Sequence, residues 1–268
     1  QLQDAGVALS GSFINLGAND GVSDDPLHLF ALDWKGAGSP ALAVEADPSL
    51  CQRHRANLPW VHLACSKITP QNARELIWSV FSTSASRDAL DVLKVDLDSF
   101  EAFVVEECLW RAGLRPKLLL VEVNAGIPPP LEYALLDSPQ LRAHYPRVQL
   151  AAHSGRKRHL FEVNKPIAGV SLSYLTRRLA PRYLLLELGS PDAIFARADI
   201  LEALDRAPLD EFKAFEFAWV DVHGFSRQQL RRWHFELDEV SALGEVHDFL
   251  TGWMQQHLGA LLPFVLSY

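Results

Sequence analysis

SFINLGANDG, residues 12–21, is an apolar strand that runs straight into a glycine-punctuated turn. Gly17 and Gly21 have access to backbone angles closed to other residues, and neither puts a side chain in the way. The next stretch, SDDPLHLFALDWKG, places Asp25 as a helix N-cap and Pro26 in a first helical turn. Leu27, Phe30, Ala31 and Trp34 then recur at helical spacing, which predicts a helix over 26–35. The segment therefore reads as a strand-to-helix crossover whose turn lies at the carboxyl end of a strand. Open α/β sheets bind their ligands at such turns.

The residues at the turn favour one kind of ligand over another. A dinucleotide-binding turn reads Gly-x-Gly-x-x-Gly and sets the pyrophosphate on the helix N-terminus. Here Asn19 stands at the middle glycine position, and Asp20, Asp24 and Asp25 crowd the helix start with negative charge. Phosphates are repelled there, whereas an ammonium or sulfonium group is attracted. S-adenosylmethionine carries both. A second apolar strand, ALAVEADP at 41–48, ends in Glu45, 24 residues after Gly21. That is near the roughly 20-residue offset at which an acid meets ribose hydroxyls in such folds. A ligand-free turn and a solvated strand-end carboxylate are the plainer alternatives for these two features.

Along the chain, strands expected at 12–16, 41–45, 60–64, 91–96 and 117–123 alternate with helices near 26–35, 48–57, 70–81 and 99–112. This alternation predicts a doubly wound, mostly parallel α/β sheet. Pro128, Pro129 and Pro130 break the pattern, and 126–166 reads as an irregular insertion, a lid or substrate-selecting element. A helix over 169–180, capped by Ser171 or Ser173, precedes YLLLELG (183–189) and AIFARA (193–198), which read as a closing hairpin-like pair. The chain thus divides into a sheet domain over 1–202 and a helical C-terminal extension over 203–268.

SFINLGANDG, VEADPSL (44–50), DVLKVDLDSFE (91–101) and PKLLLVEVN (116–124) together resemble the ordered motifs of FkbM-like S-adenosylmethionine-dependent methyltransferases. The resemblance runs from about Phe13 to about Asp199. It implies a Rossmann-like methyltransferase sheet with an antiparallel closing strand. It also implies that the Gly17–Gly21 turn, with Asn15, Asn19 and Asp20, holds the methionine part of the cofactor. Glu45 and Ala46 would hold the ribose, and the segment ending in Cys65 and Ser66 would flank the adenine. Asn15 stands where that family commonly has an acid, and Asp20 is the expected substitute. Asp98-Ser99 replaces the more usual Glu-Gly pair, which places the chain nearer to algal and protist variants than to bacterial enzymes. The acceptor implied by the family is an oxygen of a small molecule, sugar or glycan.

Chemistry is expected at the fourth and fifth strands. Asp96 and Asp98 alternate with Lys94 on one strand face, and Glu122 and Asn124 do so on the next. Methyl transfer from a sulfonium is an in-line displacement, so the protein supplies proximity, orientation and a base. Asp96 is the first candidate for base or orienting group and for a cofactor contact, and Glu122 is the second candidate. These oxygen donors would also suit a hard cation, but no spacing is diagnostic, so no metal centre is expected. The ten histidines show no zinc spacing.

A net charge of −8 and a pI near 5.7 argue against a nucleic-acid partner. The run Arg156-Lys157-Arg158-His159 is the local exception, either a solvated loop or a substrate contact. No apolar run is long enough to span a membrane. Cys51, Cys65 and Cys108 are odd in number and lack metal spacing, so three reduced thiols in a reducing cytoplasmic or organellar compartment are expected. The chain starts at Gln1, which leaves a preceding targeting segment open. The competing function is a methyltransferase-fold binding or scaffolding protein that has lost transfer. A nicotinamide or nucleotide-sugar enzyme is disfavoured by the missing middle glycine.

Overall fold

A computed structural model describes residues 2–23, 25–150, 167–189, 191–222 and 227–268. Asp24, the basic run 156–159 and the second part of the 126–166 insertion lie outside the described residues. The first half of the chain alternates strand and helix: β1 (Phe13–Leu16), α1 (His28–Asp33), β2 (Ala41–Glu45), α2 (Pro48–Asn57) and β3 (His62–Cys65). Then come α3 (Ala73–Val80), α4 (Ser84–Asp88), β4 (Val92–Val95), α5 (Glu101–Glu106) and β5 (Leu118–Glu122). The second half holds β6 (Glu132–Leu135), α6 (Pro139–Leu150), α7 (Leu172–Leu179), β7 (Tyr183–Leu188), β8 (Asp192–Arg197) and α8 (Ala198–Ala203). It closes with α9 (Glu211–Phe215), α10 (Arg227–Arg231), α11 (Glu239–Leu258) and β9 (Phe264–Ser267).

Seven strands form one sheet in the order β3-β2-β1-β4-β5-β8-β7. The pairs among β1 to β5 are all parallel. Apart from Asn15, Lys94 and the strand-end acids Glu45 and Glu122, β1, β2, β4 and β5 are apolar on both faces, as strands covered by helices on both sides are. Phe13, Ile14, Asn15 and Leu16 are all buried. β8 runs the other way beside β5: Val123 N donates to Pro191 O and Arg197 N to Lys117 O, a register that advances in opposite directions. The fold is therefore a Rossmann-like, mostly parallel α/β sheet with an antiparallel closing strand, as the sequence predicts.

The chain divides into two compact units. The first comprises residues 1–97, 103–121 and 195–207, and the second 98–102, 122–194 and 208–268. Within the first unit, Leu16 pairs with Val44 on one side and Val95 on the other. This register sets the carboxyl ends of β1, β2 and β4 level, so Gly17, Glu45 and Asp96 leave the sheet side by side. Near the start of β4, buried Asp91 accepts from Ser10 N at 2.7 Å and Gly11 N at 2.6 Å and pairs with Lys117. In the second unit, β6 and β9 form a separate antiparallel pair, with Glu132 opposite Ser267.

Several boundaries differ from those the sequence implies. The regular part of α1 starts at His28, because Asp25 Oδ1 accepts from Leu27 N at 2.9 Å and closes a local turn first. The helix expected over 99–112 changes at Glu107 to a π-helical segment, Glu107–Arg111. Residues 132–135 and 139–150, expected to be irregular, form β6 and α6. Ser171, not Ser173, caps α7 by accepting from Tyr174 N. No described helix is long and apolar enough to cross a membrane.

The cysteine expectation is overturned. Cys51 in the first turn of α2 is disulfide-bonded to Cys65 at the end of β3, with Cα atoms 5.9 Å apart, and only Cys108 is a free, buried thiol. The hairpin-like return from α2 into β3 brings the two together, a proximity that counting cysteines does not reveal. The inference of a reducing compartment from three thiols loses its basis with it. The bond closes a short loop, and its removal is expected to cost about 3 kcal/mol through the entropy of the unfolded chain. Urea unfolding with and without reductant checks this: reductant should lower the midpoint of the wild type and leave a Cys51→Ala, Cys65→Ala double variant unchanged.

Candidate functional site

The glycine turn after β1 is built on contacts that admit no side chain. At Gly17 (φ 78°) an added Cβ would lie 1.7 Å from the main-chain carbonyl oxygen of Asp96. Gly17 N and Ala18 N both donate to Val44 O, at 3.0 and 3.1 Å, which locks the turn to the tip of β2. Asn19 follows in the left-handed region (φ 49°), a conformation its short polar side chain tolerates. At Gly21 (φ 74°) a Cβ would meet His54 Cδ2 and Leu58 Cδ1, each at 2.9 Å. The turn therefore lies as bare backbone between β2, β4 and α2.

The acids around it have distinct duties. Glu45 accepts from three main-chain N–H groups: Asn19 at Oε2 (2.9 Å), and Ala46 and Asp47 at Oε1 (2.8 Å each). A carboxylate offers about four acceptor positions, so one remains for a ligand hydroxyl. Asp20 is turned inward. It accepts from Ser23 N (2.7 Å), Val22 N (3.0 Å) and Ser23 Oγ (2.9 Å), and these bonds, led by that from Ser23 N, hold its carboxyl below the usual range. Asp20 thus braces the turn instead of presenting an idle charge.

Asn15 and Lys94 are buried polar groups on neighbouring strands, paired in register. Asn15 Nδ2 donates to Asp25 Oδ2 at 2.7 Å, while Asn15 Oδ1 is buried without a hydrogen-bond partner among the described residues. An acceptor left so in the interior costs free energy unless a donor reaches it. Lys94 Nζ donates to Gly17 O at 3.2 Å and to Asp96 Oδ2 at 3.0 Å. The ammonium fixes the Asp96 side chain, which is 35% exposed, and ties the β4 tip to the glycine turn.

Among the residues expected to touch a cofactor, Asn15, Gly17, Asn19, Asp20, Gly21, Glu45, Ala46, Cys65, Ser66 and Asp96 all belong to the first unit. Cys65 is the register partner of Glu45 on β3. Ser66 Oγ, one residue on, is buried without a partner among the described residues. Glu122 ends β5 and belongs to the second unit, as does Asp98 (φ 55°).

Three participants have other readings in the sequence. Asp25 reads there as a cap and as one charge at the helix start, yet its second oxygen holds Asn15. Lys94 reads as one more charge on a strand, and its burial is invisible without the sheet. His54 sits on a helix face, buried under Gly21, with neither ring nitrogen hydrogen-bonded among the described residues. Burial pushes its imidazole below the usual value against the opposing pull of the Asp25 and Asp20 charges. A signal for Lys94 was present, since an ionisable residue inside an apolar run is rarely idle, whereas His54 lies among polar residues and gave none.

No protein-family model matches the chain, and no curated protein matches it. Among solved structures, the chain is similar to one from Thermotoga maritima described as an S-adenosylmethionine-dependent methyltransferase, possibly a histamine N-methyltransferase. The identity is 13% and the TM-score 0.34, over 74% of this chain and 86% of that one. The methyltransferase domain of bacterial CtHen1 gives 13% and 0.34 over 73% and 94%. A protein of Pyrococcus horikoshii gives 11% and 0.35 over 69% and 81%. Similarity this distant decides nothing about function, which rests on the chain's own side chains.

Gly17→Ala is expected to cost more than about 3 kcal/mol, because the clash is with main chain and φ is positive. Chemical denaturation measures that loss. His54 makes a second prediction, for pH. A histidine whose folded-state pKa lies below its unfolded value binds its proton better when unfolded. Its contribution is whole above the unfolded value of 6.5 and is lost as pH falls through that value towards the folded one. The unfolding midpoint should therefore drop between pH 7 and pH 5, and His54→Leu should flatten the drop.

Proposed function

We propose that the first unit binds S-adenosylmethionine and that the protein transfers its methyl group to a hydroxyl of a small molecule, sugar or glycan. The observation that carries the cofactor reading is Asn15 Oδ1, a buried acceptor without a partner among the described residues, beside a glycine turn that admits no side chain. An ammonium donor fits that acceptor. The Asp25 carboxylate, one hydrogen bond behind Asn15, polarises the amide towards a cation. The carboxylate that methyltransferases of the FkbM-like type carry at the strand end is thus supplied here at one remove.

The remaining residues fit the rest of the group. Glu45 would hold a ribose hydroxyl through its remaining acceptor position, with Ala46 alongside. Ser66 Oγ would meet the adenine edge beside Cys65. Asn19, Asp20 and Gly21 shape the turn around the methionine portion. The cofactor supplies a sulfonium methyl group for in-line displacement. Asp96, fixed by Lys94, would orient the acceptor hydroxyl and take up its proton, and Glu122 is the second candidate for that proton. The sugar or glycan acceptor rests on the family resemblance alone.

One observation favours the alternative, a cofactor-binding protein without transfer: Lys94 already occupies Asp96 Oδ2. Calorimetric titration separates the readings. S-adenosylmethionine should bind in the micromolar range, about −8 kcal/mol, and Asn15→Ala and Glu45→Ala should each weaken it about tenfold, or about 1.4 kcal/mol. Asp96→Asn should keep binding and abolish release of S-adenosylhomocysteine in the presence of acceptor alcohols. Folded protein that binds neither S-adenosylmethionine nor S-adenosylhomocysteine would overturn the proposal.

A further inference from the structure

A cavity of about 670 Å³ lies wholly within the second unit, and the cofactor reading makes no use of it. Its size falls in the range of pockets that enclose drug-sized ligands, roughly 300–1,000 Å³. The walls come from α9, α10 and the two π-helical segments, Glu216–Val222 and Arg232–Glu236, that continue them. Such π turns cost hydrogen-bond geometry and gather at functional sites. Here they put Glu216 at one wall and His234 and Phe235 at another.

The lining is aromatic and largely uncovered. Phe235 is 81% exposed and Phe212 is 41% exposed, while Phe215 and Leu230 are buried behind them. Phe212 meets the His234 ring edge-on at 5.5 Å, and Phe235 meets it edge-on at 6.1 Å. His234 thus contacts both phenyl rings, and the exposed Phe235 offers a surface on which a further flat ring can stack or pack edge-on. Exposed aromatics gathered in a concave site mark binding, unlike those scattered singly over a surface.

The polar groups define the rest of the ligand. Arg227 is engaged twice, by Glu216 at 3.1 Å and by Asp221. Arg231 also lines the cavity and has no acidic partner among the described residues. Arg231 is therefore the cation on this wall that no carboxylate of the described residues pairs with directly. A guanidinium pairs best with a planar carboxylate or similar anion. His234 contributes differently. Its Nε2 lies 2.5 Å from Pro129 O, which can only accept, so Nε2 carries the hydrogen and Nδ1 is left as an acceptor. Burial keeps the ring below its usual pKa and hence neutral at pH 7.

We infer that this cavity is a binding site for a small, flat aromatic ligand carrying one anionic group. The ring packs against the exposed Phe235 and Phe212 on either side of His234, the anion pairs with Arg231, and a hydroxyl or N–H on the ring can donate to His234 Nδ1. This site is independent of the cofactor reading, because every residue it uses lies in the second unit.

The test is calorimetric titration of the full chain, without S-adenosylmethionine, using 2-naphthoate and its neutral counterpart 2-naphthylmethanol. Saturable one-to-one binding of 2-naphthoate is expected, at least tenfold tighter than 2-naphthylmethanol. Arg231→Gln should remove that preference, and Phe235→Ala should weaken both ligands several-fold. Both substitutions are at exposed side chains, so circular dichroism and the unfolding midpoint should match the wild type. Absence of saturable 2-naphthoate binding up to about 1 mM, a free energy of only about −4 kcal/mol, would overturn the inference. So would equal affinity for the two probes, or binding that neither substitution alters.

Discussion

The carbonyl oxygen of Asp96 lies where residue 17 would carry its Cβ, and the first unit is arranged around that approach. Two strand tips come so close only if one of them is bare backbone. Once they do, Lys94 can reach Gly17 O and Asp96 Oδ2 together, and its charge is satisfied although the residue is buried. The same turn donates two N–H groups to Val44 O and a third to Glu45, so the ends of β1, β2 and β4 form one hydrogen-bonded rim. A wider gap would leave a buried ammonium unpaired, at a cost far above that of any single hydrogen bond.

The rim also explains how an acidic turn keeps its shape. Asp20 binds its own following residues, Glu45 binds three amides, and Asp25 divides its two oxygens between Leu27 N and Asn15. Carboxylates engaged in this way are held in fixed positions, and they preset the electrostatics of the mouth before any ligand arrives. Asn15 is where the network is left open, since its amide nitrogen donates to Asp25 and its oxygen has no partner among the described residues. The disulfide adds a covalent brace nearby: Cys51 Sγ lies 3.4 Å from Glu45 O, and its partner Cys65 pairs with Glu45 across the sheet.

Much of this was legible in the residues. Apolar runs such as ALAVE and DVLKV read as buried parallel strands because helices cover both their faces. Gly17 and Gly21 announced a turn that only glycine can make, and the closing pair was visible in YLLLELG and AIFARA. Harder to read was anything set by a partner distant in sequence. Asp25 looked like a helix cap because its second hydrogen bond runs to another element. Cys51 and Cys65 looked like free thiols because pairing depends on how α2 returns into β3. β6 went unseen behind three prolines, since the strand it pairs with, β9, lies far downstream. The aromatic cavity has no linear signature, as its walls are brought together from around residues 130, 215 and 235.

The β6–β9 pairing has a consequence for synthesis. Glu132 emerges from the ribosome long before Ser267, so one edge of β6 stays bare while more than a hundred further residues are made. An unpaired strand edge is a template for association with other nascent chains. Tyr133, Ala134 and Leu135 are fully buried in the finished protein and exposed during that interval. Heterologous expression should therefore respond to slower growth temperature or added holdase chaperones more than the stability of the mature protein would suggest.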